Sequence, residues 1–253
     1  MTLWQQVLIS ALGLGAASLI GSGIGLIVKR IPHRWNDIFM GFCAGTMLAA
    51  SIVGLLLPAI RLNGPGEWWQ VIIGVAAGVA LISALDRLMP HLHKLTGLDF
   101  DHHRADATTH RILLFVMAIA IHKLPEGMAT GIVFDSDNIS GAYSVAVSIA
   151  LQNIPEGMVV VTPLLMIGVG WLRACGISLV VAMLEVAGVL LGFYLGSISG
   201  IFLPALLGMA GGAMLYVISD EMIPETHAHG FEKPATYALV GGVVLMLLTD
   251  TLI

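Results

Sequence analysis

Long hydrophobic stretches alternate with short polar segments along the whole chain. Eight stretches hold about 20 or more mostly apolar residues, the length that a helix needs to cross a bilayer. They lie near residues 4–28, 36–60, 69–88, 112–134, 141–166, 173–196, 201–223 and 234–253. The connections are too short to hold a second folded domain. The pattern therefore predicts an all-α polytopic membrane protein with eight transmembrane helices in a single domain, residues 1–253.

The composition strengthens this prediction. Hydrophobic residues make up 57% of the 253-residue chain and charged residues only 11%, with a mean hydropathy of +0.93. Such values exclude an ordinary soluble domain. Cys43 and Cys175 lie far apart in apolar stretches without CxxC spacing, so we expect packing residues rather than a disulfide or a zinc site. We expect no organic cofactor and no nucleic-acid partner.

The basic residues predict how the helices are oriented. The first stretch lacks the basic segment that precedes a signal peptide, so we interpret it as a retained helix. Of the eleven Lys and Arg, nine lie on or beside connections 1–2, 3–4, 5–6 and 7–8: Lys29, Arg30, Arg34, Arg87, Lys94, Arg104, Arg111, Arg173 and Lys233. Arg61 lies on the opposite side. By the positive-inside rule, both termini lie outside the cytoplasm. We expect the protein to be in the cell (inner) membrane.

Small residues recur four positions apart in several helices: Gly41 and Gly45, Gly208 and Gly212, and Gly13, Ala17 and Gly21. This spacing lets helix backbones approach closely within a membrane. We expect tight packing for most of them, and they permit a homodimer without requiring one.

The longest connection, about 89–111, is rich in histidine and is predicted to be cytoplasmic. It contains His91, His93, His102, His103 and His110 together with Asp99, Asp101 and Asp106. Such loops often bind metal, and a flexible polar loop without that role is the equally weighted alternative.

Polar residues interrupt helices 4, 5 and 6 at similar depth. His122, Gln152 and Glu185 each lie about midway along their stretch. An ionisable group in the bilayer costs at least about 2.5–3.5 kcal/mol, so it normally faces a partner, a cavity or an ion path. A satisfied helix–helix hydrogen bond explains one such residue, but not the whole set.

The sequences "HKLPEGM" from His122 and "QNIPEGM" from Gln152 repeat one arrangement. At about 100° per residue, Glu126 lies roughly 40° from His122 and Lys123 roughly 100° from it. Each helix therefore offers a carboxylate between two polar groups. Imidazole, carboxylate and amide groups suit a borderline divalent metal such as Zn²⁺, and the absence of a thiolate fits a site that releases its ion.

These motifs resemble the ZIP family of divalent metal transporters, and most closely its bacterial GufA-like branch. The resemblance extends over essentially the whole chain, including "VISDEMIPETHAHG" from Val217. It implies a 3+2+3 arrangement in which helices 4 and 5 lie between two three-helix groups related by inverted symmetry. It also implies transport toward the cytoplasm by alternating access, chiefly of zinc, with cadmium, iron and manganese as further candidates.

The resemblance also assigns residues. It places the metal site on His122, Glu126, Gln152, Glu156 and Glu185, and the cytoplasmic exit on Asp220, Glu221, Glu225, His227 and His229. Lys123 and Asn153 depart from the branch pattern, in which an Asn and an Asp would complete a second metal site.

A charge count suggests how the departure is tolerated. Three Glu are balanced by one divalent ion and Lys123, just as three Glu and one Asp would be balanced by two divalent ions. We hypothesise that the Lys123 ammonium replaces the second metal. In the alternative, Lys123 points away or is neutral. When the metal leaves, we expect protons to enter, so that flux depends on pH.

Two other function classes remain open. A His and a Glu near a helix-breaking proline would also suit an intramembrane metalloenzyme, but no H-E-x-x-H pair is present, so we do not expect an enzyme. A metal-binding membrane sensor would bind the ion without flux.

Overall fold

The protein, seen in a computed structural model, is described over residues 2–62, 68–95, 107–134, 139–198 and 202–252. Within these ranges the chain forms eight long helices and no strand. They are α1 (Leu3–Val28), α2 (His33–Leu62), α3 (Trp69–Leu95), α4 (Ala107–Val133), α5 (Ile139–Met166), α6 (Trp171–Ile198), α7 (Leu203–Thr226) and α8 (Glu232–Leu252). The predicted all-α, eight-helix fold is confirmed.

The helices have the length and apolar character of membrane spans. In the described residues, α1, α2, α5, α6, α7 and α8 are each long and apolar enough to cross a bilayer, and α3 contains a shorter apolar part, Trp69–Leu85. Large apolar side chains are exposed on outer faces, among them Leu12, Val180 and Leu248. A soluble protein would bury such faces, so the chain is a multi-pass membrane protein.

The helices pack in four main pairs: α1 with α5, α4 with α6, α2 with α8, and α3 with α7. The pairing has an internal symmetry. Exchanging α1 with α6, α2 with α7, α3 with α8 and α4 with α5 gives the same four pairs. The weaker contacts α2–α5 and α4–α7 exchange in the same way. The three helices before α4 thus exchange with the three helices after α5, and α4 exchanges with α5, as the predicted 3+2+3 arrangement requires.

Glycines bring the two helices of each pair together. A Cβ added at Gly45 of α2 would overlap the carbonyl of Leu239 in α8, and one added at Gly242 of α8 would overlap the carbonyl of Phe42 in α2. The other three pairs have equivalent contacts, at Gly21 and Gly157, at Gly127 and Gly188, and at Gly74 and Gly212. The Gly-x-x-x-Gly motifs at 41–45 and 208–212 are thus used within one chain. Gly13, by contrast, has open space beside it.

Within the described ranges, two helices contain a π-helical segment. It covers Ala50–Leu56 in α2 and Ile218–Met222 in α7, two helices that exchange under the pairing symmetry. A π turn inserts an extra residue and is frequent at functional sites. In α7 this segment contains Glu221, which faces the polar centre of the molecule.

The predicted connection between helices 3 and 4 is shorter than expected. We predicted a loop from about 89 to 111, but α3 continues to Leu95 and α4 begins at Ala107. Helical hydrogen bonds are local, so a helix continues beyond its apolar part. His91, His93 and His110 therefore lie in helices, whereas His102, His103 and the three Asp residues are outside the described residues.

Candidate metal centre

The polar groups of α4 and α5 face each other, and both helices continue through an internal proline. Pro125 lies within α4 and Pro155 within α5. Each helix presents its polar side chains toward the other, and His122, Lys123, Glu126, Gln152, Asn153 and Glu156 are all buried. The centre of the molecule is thus polar although its outer faces are apolar.

The Lys123 ammonium lies in the middle of this cluster. Its Nζ donates hydrogen bonds to Glu126 Oε2 at 2.6 Å, to Glu156 Oε2 at 2.8 Å and to Asn153 Oδ1 at 2.5 Å. A third carboxylate oxygen, Glu185 Oε1, is 3.8 Å away. An ammonium has three hydrogens to donate, and all three are used. Lys123 therefore points into the cluster, and the alternative that it points away is wrong.

Side-chain amides extend the network to Glu126 and Glu185. Gln152 Nε2 donates to Glu126 Oε1, and Asn153 Nδ2 donates to Glu185 Oε1 at 2.7 Å. The second oxygen of Glu185 accepts from Ser18 Oγ of α1 at 2.9 Å. Buried carboxylates need donors or cations to offset their lost hydration, and the residues of α1, α4 and α5 supply them.

His122 lies at the edge of the cluster, beside a small cavity. Its Nε2 is 3.2 Å from Glu221 Oε1 but has no partner of hydrogen-bond geometry in the described part of the chain. The cavity has a volume of about 10 Å³, room for about one water molecule. It is lined by Met40, Met47, Ile119, His122, Glu156, Val217, Glu221 and Met222. An imidazole nitrogen and two carboxylates from three helices thus share one space.

Comparisons with known proteins show the family of the chain. A family model described as "ZIP Zinc transporter" matches residues 89–250, which is more than half of the chain. The chain belongs to the ZIP family. It is 37% identical over 243 residues to the zinc transporter ZIPB of Bordetella bronchiseptica, covering 93% of this chain and 77% of that protein.

Two further ZIP proteins show the same similarity. The zinc transporter GufA of Myxococcus xanthus is 39% identical over 165 residues, covering 64% of this chain and 63% of that protein. The zinc transporter ZupT of Chlorobium luteolum is 30% identical over 264 residues, covering 98% of each. The similarity to bacterial members that we inferred from the motifs is confirmed.

The predicted ligands of this ZIP protein do not form a ready-made metal cage. Across the described residues, no three His, Cys, Asp or Glu side chains converge closely enough to hold an ion. Glu126 and Glu156 are bound to Lys123, and His122 is next to Glu221. The ammonium attracts the carboxylates that a metal would otherwise hold, so an ion has to displace hydrogen bonds in order to bind.

The predicted exit residues of the ZIP chain separate into two places. Glu221 reaches the cavity, whereas Asp220 is exposed and Glu225 and His227 lie at the end of α7. His229 lies apart from these residues. Its Nδ1 is 3.0 Å from Oδ1 of the fully buried Asp37 near the start of α2. The ring of His33 stacks on His229, with the ring centroids 4.4 Å apart.

Our sequence reasoning missed three residues that bind predicted site or exit residues of this ZIP protein. Ser18 binds Glu185, Thr46 binds Gln152, and Asp37 binds His229. Ser18 and Thr46 are small polar residues in stretches rich in Gly and Ala, where they resemble packing residues. Asp37 was detectable as an acidic residue near an apolar stretch, but its partner lies 192 positions away. Cys43 and Cys175 are free thiols, in agreement with the expectation that they form no disulfide.

Proposed function

We propose that the protein transports zinc toward the cytoplasm through one mid-membrane metal site between α4 and α5. The observation that carries this proposal is the Nε2 of the buried His122, which makes no hydrogen bond of good geometry in the described residues, lies 3.2 Å from Glu221 Oε1 and adjoins a cavity shared with Glu156 and Glu221. A buried nitrogen without a hydrogen-bond partner is rare, and a free imidazole nitrogen is a preferred zinc ligand. The three named relatives are all zinc transporters.

We assign His122, Glu126, Gln152 and Glu156 as the zinc ligands. They supply one imidazole, two carboxylates and one amide oxygen, a donor set suited to zinc and to similar divalent ions such as cadmium, iron and manganese. Glu185 contributes charge rather than a donor atom, because both of its oxygens already accept hydrogen bonds from Ser18 and Asn153.

In this proposal Lys123 replaces a second metal ion. Its ammonium already binds two carboxylates and the Asn153 amide. With Lys123 charged, the three buried Glu and Lys123 together carry a net charge of minus two, which one divalent ion neutralises. We therefore assign a mononuclear site, and Lys123 keeps the carboxylates paired whenever the ion has left.

The ion would leave through Glu221. This carboxylate lies beside His122 on one side, and its helix ends toward Glu225 and His227 on the other. An ion held by His122 would therefore exchange ligands over a short distance. We assign this end of α7 to the cytoplasm because Lys233, at the start of the next helix, marks the connection between α7 and α8 as one of the basic set. Alternating access in a cell membrane, with both termini outside, completes the proposal.

The test is zinc uptake into liposomes that contain the purified protein, with and without a pH gradient. We expect flux in the native protein and its loss in a Glu126→Gln, Glu156→Gln variant, which keeps the shapes but removes two charges. Glu232→Gln is the matched control, because Glu232 is exposed at the start of α8. Since zinc ligands bind as deprotonated groups, flux should fall when the side from which zinc enters is acidified. Zinc binding without flux would indicate a sensor, and equal flux in the double variant would exclude this site.

A further inference from the structure

A hydroxyl group of α2 is bonded to one of the proposed zinc ligands. Thr46 and Gln152 are both fully buried, and Thr46 Oγ1 lies 2.6 Å from Gln152 Oε1. The contact joins α2 to α5 in the middle of the molecule. No motif or resemblance assigns a role to Thr46.

The orientation of the Gln152 amide follows from its neighbours. Its Nε2 faces Glu126, because a carboxylate accepts hydrogen bonds and the NH₂ group is the donor. Its Oε1 consequently faces Thr46. A zinc ion bound to Glu126 requires the opposite arrangement, since only the amide oxygen of Gln152 is a ligand. A half-turn of the amide exchanges the two atoms without displacing the side chain.

Thr46 has the hydrogen-bonding capacity to follow that half-turn. Its hydroxyl has one hydrogen and three acceptors within reach: Gln152 Oε1 at 2.6 Å, the carbonyl of Cys43 at 2.9 Å and the carbonyl of Phe42 at 3.2 Å. With Oε1 facing it, the hydroxyl donates to Gln152. After the half-turn it donates to a carbonyl of its own helix and accepts from Gln152 Nε2. Thr46 then makes two hydrogen bonds instead of one.

We propose that Thr46 is a positioning residue for the metal site, which favours the orientation of Gln152 that presents its oxygen to the ion. The role acts through Gln152 and rests on the proposed zinc transport. Because Thr46 gains a hydrogen bond only when the amide is turned, its hydroxyl raises the affinity for zinc. It also stabilises the empty site by donating to the oxygen that would otherwise be buried without a partner.

The test compares zinc binding and zinc flux in Thr46→Val, which removes the hydroxyl at constant shape, and in Thr46→Ser, which keeps it. Loss of one net hydrogen bond should weaken zinc binding about 3- to 10-fold in the Val variant. The half-saturating zinc concentration for flux should rise by the same factor at an unchanged maximal rate, and Thr46→Ser should remain within about twofold of the native value. Thr162→Val is the matched control, because the buried Thr162 hydroxyl donates to the Met158 carbonyl of its own helix.

A second comparison separates positioning from general packing. In a Gln152→Ala background, Thr46→Val should cause no further loss of affinity. An equal loss in that background, native affinity in Thr46→Val, or an equal effect of Thr162→Val would each overturn the role of Thr46. If the native protein neither binds nor transports zinc, the proposed function fails, and the role of Thr46 fails with it.

Discussion

Giving Lys123 and Asn153 the residues that we expect from the branch pattern should change the number of metal ions bound. The double substitution Lys123→Asn, Asn153→Asp removes the ammonium and adds a carboxylate. An ion at the position of the ammonium would have three oxygens nearby, because Lys123 Nζ lies 2.5–2.8 Å from them. Zn–O distances are about 2.0–2.2 Å, so each oxygen has to move inward by only about half an ångström.

The charges give the expected magnitude. The native cluster of three Glu and Lys123 has a charge of minus two, whereas the variant cluster of three Glu and one Asp has minus four. One divalent ion neutralises the first and two neutralise the second. Without metal the variant leaves carboxylates that lack their cation, and breaking a buried ion pair costs about 3–5 kcal/mol. We expect a loss of unfolding free energy of about that size in chelator, and its recovery in zinc.

The assay is zinc bound per protein, measured by elemental analysis after dialysis and by titration calorimetry. Native protein should bind one ion at the centre and the double variant two. Lys233→Asn is the control, because Lys233 is exposed at the start of α8. Thermal unfolding with chelator and with zinc measures the stability change. A variant that still binds one ion, or a native protein that binds two at the centre, would refute the assignment of Lys123 as the replacement of an ion.

Two further predictions concern stability and are checked by thermal unfolding in detergent. Gly45→Ala places a methyl group against a carbonyl of α8 and should cost about 1–3 kcal/mol, whereas Gly241→Ala, with open space beside it, should be neutral or slightly stabilising. Ser18→Ala removes a hydrogen bond to a buried charge, that of Glu185, and should cost about 1.5–3 kcal/mol. Ser178→Ala removes only a bond to a carbonyl of its own helix, so it should cost less.

The helices and the central polar residues were predictable because each rests on local physics. Apolar length sets the number of membrane helices, and the spacing of His122 and Glu126 on one helix follows from the turn angle. Gln152 and Glu156, which face His122 and Glu126 from the next helix, were predictable only because that helix repeats the motif.

The contacts that complete the site depend on packing between distant segments. Nothing near Ser18 in the sequence indicates that its hydroxyl binds Glu185, 167 positions away. The π segment of α7 shifts the register by one residue, which affects the direction in which Glu221 points. His229 follows an exit-like pattern, yet the buried carboxylate of Asp37 draws it to α2.

The glycine-packed pairs give the molecule an uneven stiffness. Within each pair, backbones touch at glycines, and such contacts tolerate almost no change in distance. The contacts from α2 and α7 to the central helices are of another kind, such as the single hydroxyl of Thr46 on Gln152 and the carboxylate of Glu221 near His122. One side-chain contact of this kind can break and be replaced by another while the neighbouring contacts stay in place. A displacement along the surfaces where α2 and α7 meet α4 and α5 would therefore exchange these side-chain contacts beside the proposed ion site, whereas a displacement within a pair would force backbones apart at their glycines.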